Sequence, residues 1–378
     1  MTVVPVSPPR VVFVFRRQRQ ERLELYRAGV GPDEMLYGLN HFNPAEFEVC
    51  WIEGDDHQWN WKRCLWYPLE VLIARQVKMG FALHIALDHL QLLRRAEVIV
   101  STIDSCGLPI AGLKALGLLT TPCIYISQGL SDRLGQLPQP SLIHRFFRGW
   151  YRHLLQTTEQ ILVLGEGAVE PLVQQLQLPP DRVRCLPFGI DTQFWHPNED
   201  TPVGDYILSV GSDLARDYHT LLQAIASLPN CRLKIVTRLE IAPTAPQVEV
   251  ASEFTDLALR QLYQQAQFVI IPLQNVAQPS GQSATLQAMA CGKAVILTRT
   301  IGLWEPKQMR HLENCYLVAP GNAPALEAAI TYLQQHPQEV ARIGAEARRT
   351  AISRYSSQRF AANLANYMTA LLQDDESF

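Results

Sequence analysis

Short apolar runs rich in β-branched residues recur along the chain. Val11 to Phe15, Phe47 to Ile52, Val98 to Thr102, Cys123 to Ser127, Ile161 to Leu164 and Val183 to Leu186 make a first series. Tyr206 to Val210, Leu233 to Val236, Val248 to Phe254, Phe268 to Leu273 and Ala294 to Leu297 make a second. Runs without polar alternation are the pattern of strands buried on both faces of a parallel sheet. Between them apolar positions return at helical spacing. This predicts helices from about Pro32, over Leu69 to Arg95 (one or a pair), Ile110 to Leu119, Leu142 to Leu155, Gly165 to Leu176, and after Gly211 and Leu257. Further helices are predicted from Ser283 to Gly292, and over Ala323 to Gln335, Pro337 to Tyr355 and Ser357 to Leu372, while Arg16 to Arg27 reads as a basic loop. Strands and helices that alternate in this way predict an α/β fold.

The stretch Phe268 to Thr298 organises the rest. A buried strand runs into a polar Pro/Gly/Ser loop, and Ser283 is placed to cap a helix that Gly292 ends. The turn Ser280-Gly281-Gln282-Ser283 therefore sits at a helix N-terminus beyond the carboxyl end of a strand. Backbone N–H groups collect there, and phosphate binds at such a place. Tyr206 to Val210 followed by Gly211, a turn and a helix repeats the layout. Asp104 and Gln128 each lie just past a strand end, where α/β enzymes set functional groups; each reads equally as a helix cap or turn residue.

Composition narrows the classes. The 378 residues suffice for two domains with full cores, and 47% apolar with 18% charged residues fits a globular chain. A net charge of −3 argues against a dedicated nucleic-acid binder. The eight cysteines form no C-x-x-C pair, so buried thiols in a reducing cytosol are expected, not zinc or redox chemistry. MTVVPVSPPR has no positive region followed by an apolar core, so no signal peptide is expected, and no apolar window is long enough for a membrane span. No pair of carboxylates stands in a strand-end loop, and no metal is expected. Leu142 to Leu155 interleaves Arg145, Arg148 and Arg152 with His144, Phe146, Phe147, Trp150 and Tyr151. Either it lies on an anionic membrane surface, or it has an aromatic core face and a solvated basic one.

Several stretches together resemble glycosyltransferase family 4, retaining enzymes of the GT-B fold. QAMACGKAV, Gln287 to Val295, is similar to the run that opens on the second glutamate of the family's Glu-x7-Glu pair. Gln287 holds that slot and Pro279 the first, so both carboxylates are absent. PFGIDTQFWHP, Pro187 to Pro197, resembles the signature between the family's domains, and ENCYLVAPG, Glu313 to Gly321, its later part. The resemblance implies two Rossmann-like domains facing each other across a cleft: 1–190 on the acceptor side, 191–356 on the donor side, and a helix over 357–378 crossing back.

The resemblance also implies roles. Gly29 and Gly31 take the place of the first domain's glycine loop, with an ordinary strand-to-helix turn as the alternative. Ser212 stands in the family's diphosphate arginine slot, and Arg216 in its lysine slot, where it keeps a cation with a forked donor set. Phe254, Thr255 and Leu257 fall where the nucleotide base is held. Gln287 offers a carbonyl where a glutamate would accept from ribose hydroxyls. Arg216, with Asp104 and Gln128 toward the sugar and acceptor, is the expected catalytic set. Ser280, Gly281, Gln282, Ser283 and Gly211 are expected to bind the diphosphate. The implied activity is transfer of a sugar from a nucleotide-sugar donor, without a cofactor, to a saccharide or lipid-linked acceptor in polysaccharide or glycolipid synthesis. The expected location is cytoplasmic, with a peripheral membrane contact through 142–155. A nucleotide- or sugar-binding protein without turnover is the alternative.

Overall fold

The continuous apolar runs become parallel strands, and the chemistry of their ends decides which loops meet. The computed structural model describes residues 7–54, 61–77, 79–135, 142–242 and 245–375. The chain divides into two compact units. The first takes its described residues from 1–21, 36–186 and 360–378, and the second from 22–35 and 187–359.

The first unit holds β1 (Arg10–Phe15), the start of α1 (Arg19–Arg27), β2 (Glu48–Glu53), α2 (Trp61–Val77), α3 (Leu83–Asp88), α4 (Leu90–Leu93), β3 (Val98–Ser101) and α5 (Asp104–Ala115). β4 (Cys123–Ser127), α6 (Leu130–Gly135), α7 (Leu142–Leu155), β5 (Gln160–Val163), α8 (Val169–Leu176) and β6 (Val183–Cys185) complete it. The sheet is parallel with order β2-β1-β3-β4-β5-β6. β1 lies inside the sheet between β2 and β3, and Val11, Val12, Phe13 and Phe15 have no exposed surface, as a strand covered on both faces requires.

The second unit repeats the plan with β7 (Tyr206–Val210), α9 (Tyr218–Ala226), β8 (Arg232–Val236), β9 (Val248–Ala251), α10 (Asp256–Gln265), β10 (Val269–Ile271), α11 (Gln282–Ala290), β11 (Val295–Thr298), β12 (Tyr316–Val318), α12 (Ala323–Gln335), α13 (Pro337–Arg354) and the start of α14 (Ser357–Asp375). Its parallel order is β12-β11-β10-β7-β8-β9. The chain winds outward from β7 to β9, then returns to β10 beside β7 and winds the other way. That reversal leaves the loops after β7 and β10 side by side at the carboxyl ends of the strands, where open α/β sheets bind ligands. The two loops do pair: Arg216 bridges Leu273, Gln274 N donates to Ala215 O at 2.8 Å, and Asp217 N donates to Pro272 O at 3.1 Å.

The α/β class expected from the sequence is found, with local differences. The basic run is not a loop: Arg19–Arg27 is a helix, built of strong helix formers with Glu21 in the first turn and Arg27 in the last, as the helix dipole favours. The helix expected from Pro32 is only a single turn over Glu34–Leu36, because Tyr37 and Gly38 leave it with φ of 53° and 81°. Leu69 to Arg95 is broken between α2 and α3. α5 starts at Asp104, well before Ile110, although Pro109 lies inside it. Proline cannot donate to the carbonyl four residues back. That carbonyl, on Ser105, instead accepts from Ala82 N at 2.7 Å, so the helix continues without an unsatisfied group. β12 has no counterpart among the expected strands.

Gly107 of α5 lies on the Tyr125 ring so closely that a Cβ there would overlap it. A Gly107→Ala variant should lose about 1–3 kcal/mol of stability, read as a lower urea midpoint of the first unit with an unchanged slope.

Candidate functional site

In the second unit Arg216 lies on the turn after β7, between that turn and the one before α11. The residue is 6% exposed. A Cβ on Gly211 would fall on the guanidinium, and a Cβ on Gly281 would stand 2.8 Å from Nη1. Both glycines have positive φ, 147° and 73°, so side chain and backbone alike call for glycine there. Arg216 Nε lies 3.0 Å from Asp213 Oδ2, without the alignment of a hydrogen bond. Nη1 is buried and has no hydrogen-bond partner among the described residues. A buried cation with an unused donor is costly unless an anion meets it.

The expected diphosphate residues gather here. α11 begins at Gln282, and its N-cap is Gly281, not Ser283. Thr285 N bonds back to Gly281 O at 2.9 Å, so the first turn of α11 points its leading amides, those of Ser283 and Ala284 among them, toward the N-terminal end of the helix. Ser280 Oγ donates to Asp213 Oδ1, and Ala215 N donates to the same oxygen at 3.2 Å. Ser212 is turned to the neighbouring loop, where its Oγ accepts from Arg238 N at 2.8 Å. Gly211 N donates to Val236 O at 3.0 Å, and its carbonyl accepts from Tyr218 Oη at 2.7 Å.

Other expected residues stand apart from this turn. Phe254 is exposed and Leu257 half-buried, at the end of edge strand β9 and the start of α10. Thr255 Oγ1 is spent capping α10, accepting from Ala258 N at 3.2 Å. Gly29 and Gly31 close the end of α1. Gly29 N donates to Tyr26 O and Gly31 N to Leu25 O, and Gly29 takes the left-handed φ of 72° that ends helices.

Gln287 belongs to a network that sequence reasoning missed. Its Oε1 accepts from Tyr263 Oη at 3.2 Å, and its Nε2 donates to Glu34 Oε1 at 2.8 Å. Glu34 also accepts from Trp195 Nε1 at 3.0 Å and from Asp191 N at 3.1 Å. Asp191 in turn caps the Pro187 to Pro197 turn, accepting from Gln193 N and Phe194 N at 3.0 and 2.9 Å. Glu34 is 2% exposed. Burial raises its carboxyl to about 7, against the hydrogen bonds from Gln287, Asp191 and Trp195. The one signal in the sequence was an amide where a carboxylate is the pattern.

In the first unit Asp104 and Gln128 are brought together, but with each other. Asp104 is 5% exposed, and burial raises its carboxyl above the ordinary carboxylate range. Its Oδ1 accepts from Tyr125 Oη and, at 2.8 Å, from Ser127 Oγ, and Gln128 N donates to Oδ2 at 3.1 Å. Gln128 Nε2 donates to Tyr37 Oη at 2.6 Å and to Thr102 O at 2.5 Å. The pair fastens the ends of β3 and β4.

α7 has two faces. Phe147, Tyr151, Leu154 and Leu155 enter the core, while Arg145, Arg148 and Arg152 are exposed beside Leu142 and Phe146, 83% and 67% exposed. The side chain of His144 lies outside the described residues. No described helix is long and apolar enough to cross a membrane. Among the described residues no three His, Cys, Asp or Glu groups gather as metal ligands would, and all eight cysteines are free thiols.

Residues 204–336 match the family model of glycosyl transferases group 1. The chain is 25% identical over 240 residues to the MMP alpha-(1->4)-mannosyltransferase of Mycolicibacterium hassiacum, covering 57% of this chain and 56% of that protein. It spans about half the length of the curated relatives it matches. Among solved structures it is similar to HepE of Anabaena in complex with UDP and glucose, with a TM-score of 0.65, 13% identity, and 96% and 99% of the two chains covered. It is also similar to sucrose-phosphate synthase of Thermosynechococcus elongatus, with a TM-score of 0.68, 14% identity, and 97% and 100% covered. The fold is that of the GT-B proteins.

Glu34 has a pH signature. Its carboxyl titrates near 7 in the folded chain against an ordinary 4.5, so between these values the folded state holds the extra proton. The stability Glu34 contributes is full below about 4.5 and is lost as pH rises through about 7. The melting temperature of the wild type minus that of Glu34→Gln should therefore fall from about pH 5 to about pH 8. A difference that stays level across this range would show that Glu34 is ionised at its ordinary pH.

Proposed function

We propose that this chain is a retaining glycosyltransferase of family 4 that moves a sugar from a nucleotide-sugar donor to a saccharide or lipid-linked acceptor without a metal. One observation carries the reading: the buried Arg216 guanidinium, with Nη1 unused, between glycine turns at the place where the sheet reverses. A diphosphate leaving group meets that need. In the transfer, the bond from the sugar's anomeric carbon to the diphosphate oxygen breaks, and a bond to an acceptor hydroxyl oxygen forms. The hydroxyl proton ends on the departing diphosphate. Arg216 and the first amides of α11 stabilise the charge that grows there, the part a divalent cation plays in metal-dependent transferases. No enzymic nucleophile is assigned. Gln287 stands on the same helix for the ribose, and Phe254 and Leu257 for the base. The likeness to HepE, solved with UDP and glucose, supports a nucleotide-sugar donor, and the group 1 match supports the reaction class.

The acceptor side of the proposal includes a membrane. Exposed Phe146 between Arg145 and Arg148, and exposed Leu142 one turn before them, give α7 apolar and cationic elements side by side, the composition of a helix that lies on anionic lipid. The absence of glutamate at 279 and 287 supports the second reading, a nucleotide-binding protein without turnover.

Arg216→Ala should weaken binding of the matching nucleoside diphosphate by about 2–4 kcal/mol, measured by calorimetry after a thermal-shift screen of UDP, GDP and ADP sugars. Unchanged affinity would take Arg216 out of the site. Release of nucleoside diphosphate with sugar transfer separates the enzyme from the binding protein. Replacing Arg145 and Arg148 with serine should weaken the partition onto phosphatidylserine vesicles, read by sedimentation, by about thirtyfold if each contributes about 1 kcal/mol, and leave neutral vesicles unaffected.

A further inference from the structure

A carboxylate is absent from position 287, yet one stands 2.8 Å from that side chain. Glu34 comes from the 22–35 segment of the second unit and is enclosed there. Its two oxygens take the N–H groups of Gln287, Trp195 and Asp191. A glutamate at 287 would set a second carboxylate against the first, and one of the two would have to hold a proton. The amide at 287 and the carboxylate at 34 are thus a matched pair, each fixing the chemical type of the other.

The pairing also fixes an orientation. A glutamine amide has a donor end and an acceptor end. Glu34 takes the nitrogen, and the oxygen lies 3.2 Å from the Tyr263 hydroxyl, which shares its one proton between it and Ala284 O at 3.3 Å. With Glu34 ionised, turning the amide over would face a carbonyl to a buried carboxylate. Gln287 is half-buried on α11, whose first turn carries the Gly281 to Ser283 amides. Its carbonyl keeps a second lone pair for a ligand hydroxyl. Other titratable groups bear on the cluster: Asp33, whose N donates to Asp191 Oδ2 at 3.3 Å, Asp191 itself, the Tyr263 hydroxyl, the Cys291 thiol, and the cations of Arg216 and Arg260.

We propose that Glu34 is the positioning residue for the ribose end of the nucleotide: held by it, Gln287 presents a carbonyl to the ribose hydroxyls, and the carboxylate missing from α11 acts from elsewhere in the chain. This rests on the nucleotide-sugar reading above. The test uses the full chain, with UDP and 2′,3′-dideoxy-UDP as probes (or the GDP or ADP pair, if the wild type takes that base). Glu34→Gln should bind UDP about tenfold more weakly, the worth of one hydrogen bond to a ligand hydroxyl, and bind the dideoxy probe as the wild type does. The exchanged variant, Glu34→Gln with Gln287→Glu, should recover UDP binding to within about threefold.

A folded Glu34→Gln protein that binds UDP as the wild type does, or loses both probes equally, overturns the role of Glu34 alone. Should Glu34→Gln not fold, the exchanged variant decides. Folded and discriminating between the probes, it supports the pairing; unfolded, or folded without discrimination, it overturns it. A wild type that takes no nucleoside diphosphate at all overturns both this inference and the reading it rests on.

Discussion

A guanidinium held out of water is the constraint on which the second unit depends. Arg216 has one carboxylate near it, Asp213, and that carboxylate is shared with the Ser280 hydroxyl. Such a charge is tolerated only in an environment shaped for it. The shaping is visible in the two glycines that make room for it and in the pairing of the β7 and β10 loops around it. Those loops meet because the sheet reverses between β7 and β10. The strands come from the apolar runs and their order from the winding of the chain, and together they decide where a positive charge can be kept.

Much of this was legible, and the reasons are local. Parallel strands announce themselves as unbroken apolar runs, and the strand–turn–helix layouts around Gly211 and Gly281 carry their own signal. What escaped was set by tertiary partners. The run Arg19–Arg27 has no broad apolar stripe, with Leu23 its buried residue, so its helix was hidden behind its charge. The helix expected from Ile110 starts at Asp104, and nothing in the sequence says that Ala82 will take over the carbonyl that Pro109 releases. Ser283 looked like a cap, yet the cap is set two residues earlier, at Gly281 against Arg216.

Among the site residues, those tied to backbone geometry were readable, and those tied to long-range pairing were not. Glu34 and Gln287 are 253 positions apart. Glu34 sits among acids that read as a helix start, and Gln287 reads as a conservative loss of charge. Their chemistry becomes intelligible only together, as an amide and a carboxylate exchanged between two points of the chain. Asp104 and Gln128 show the opposite case. Positions just past strand ends are good places for function, but here a tyrosine, a serine and a backbone amide already occupy the acid.

The allegiance of residues 22–35 bears on how the protein comes into being. This stretch is made early on the ribosome, long before Trp195, Tyr263 and Gln287 exist. Until it arrives, the indole, the Asp191 amide and the Gln287 amide have water as their acceptor, not Glu34. Closing this network in the second unit joins Glu34 to partners 157 to 253 positions away, a loop closure with an entropic cost. The polar seal of that unit is brought in from a distant stretch of the same polypeptide.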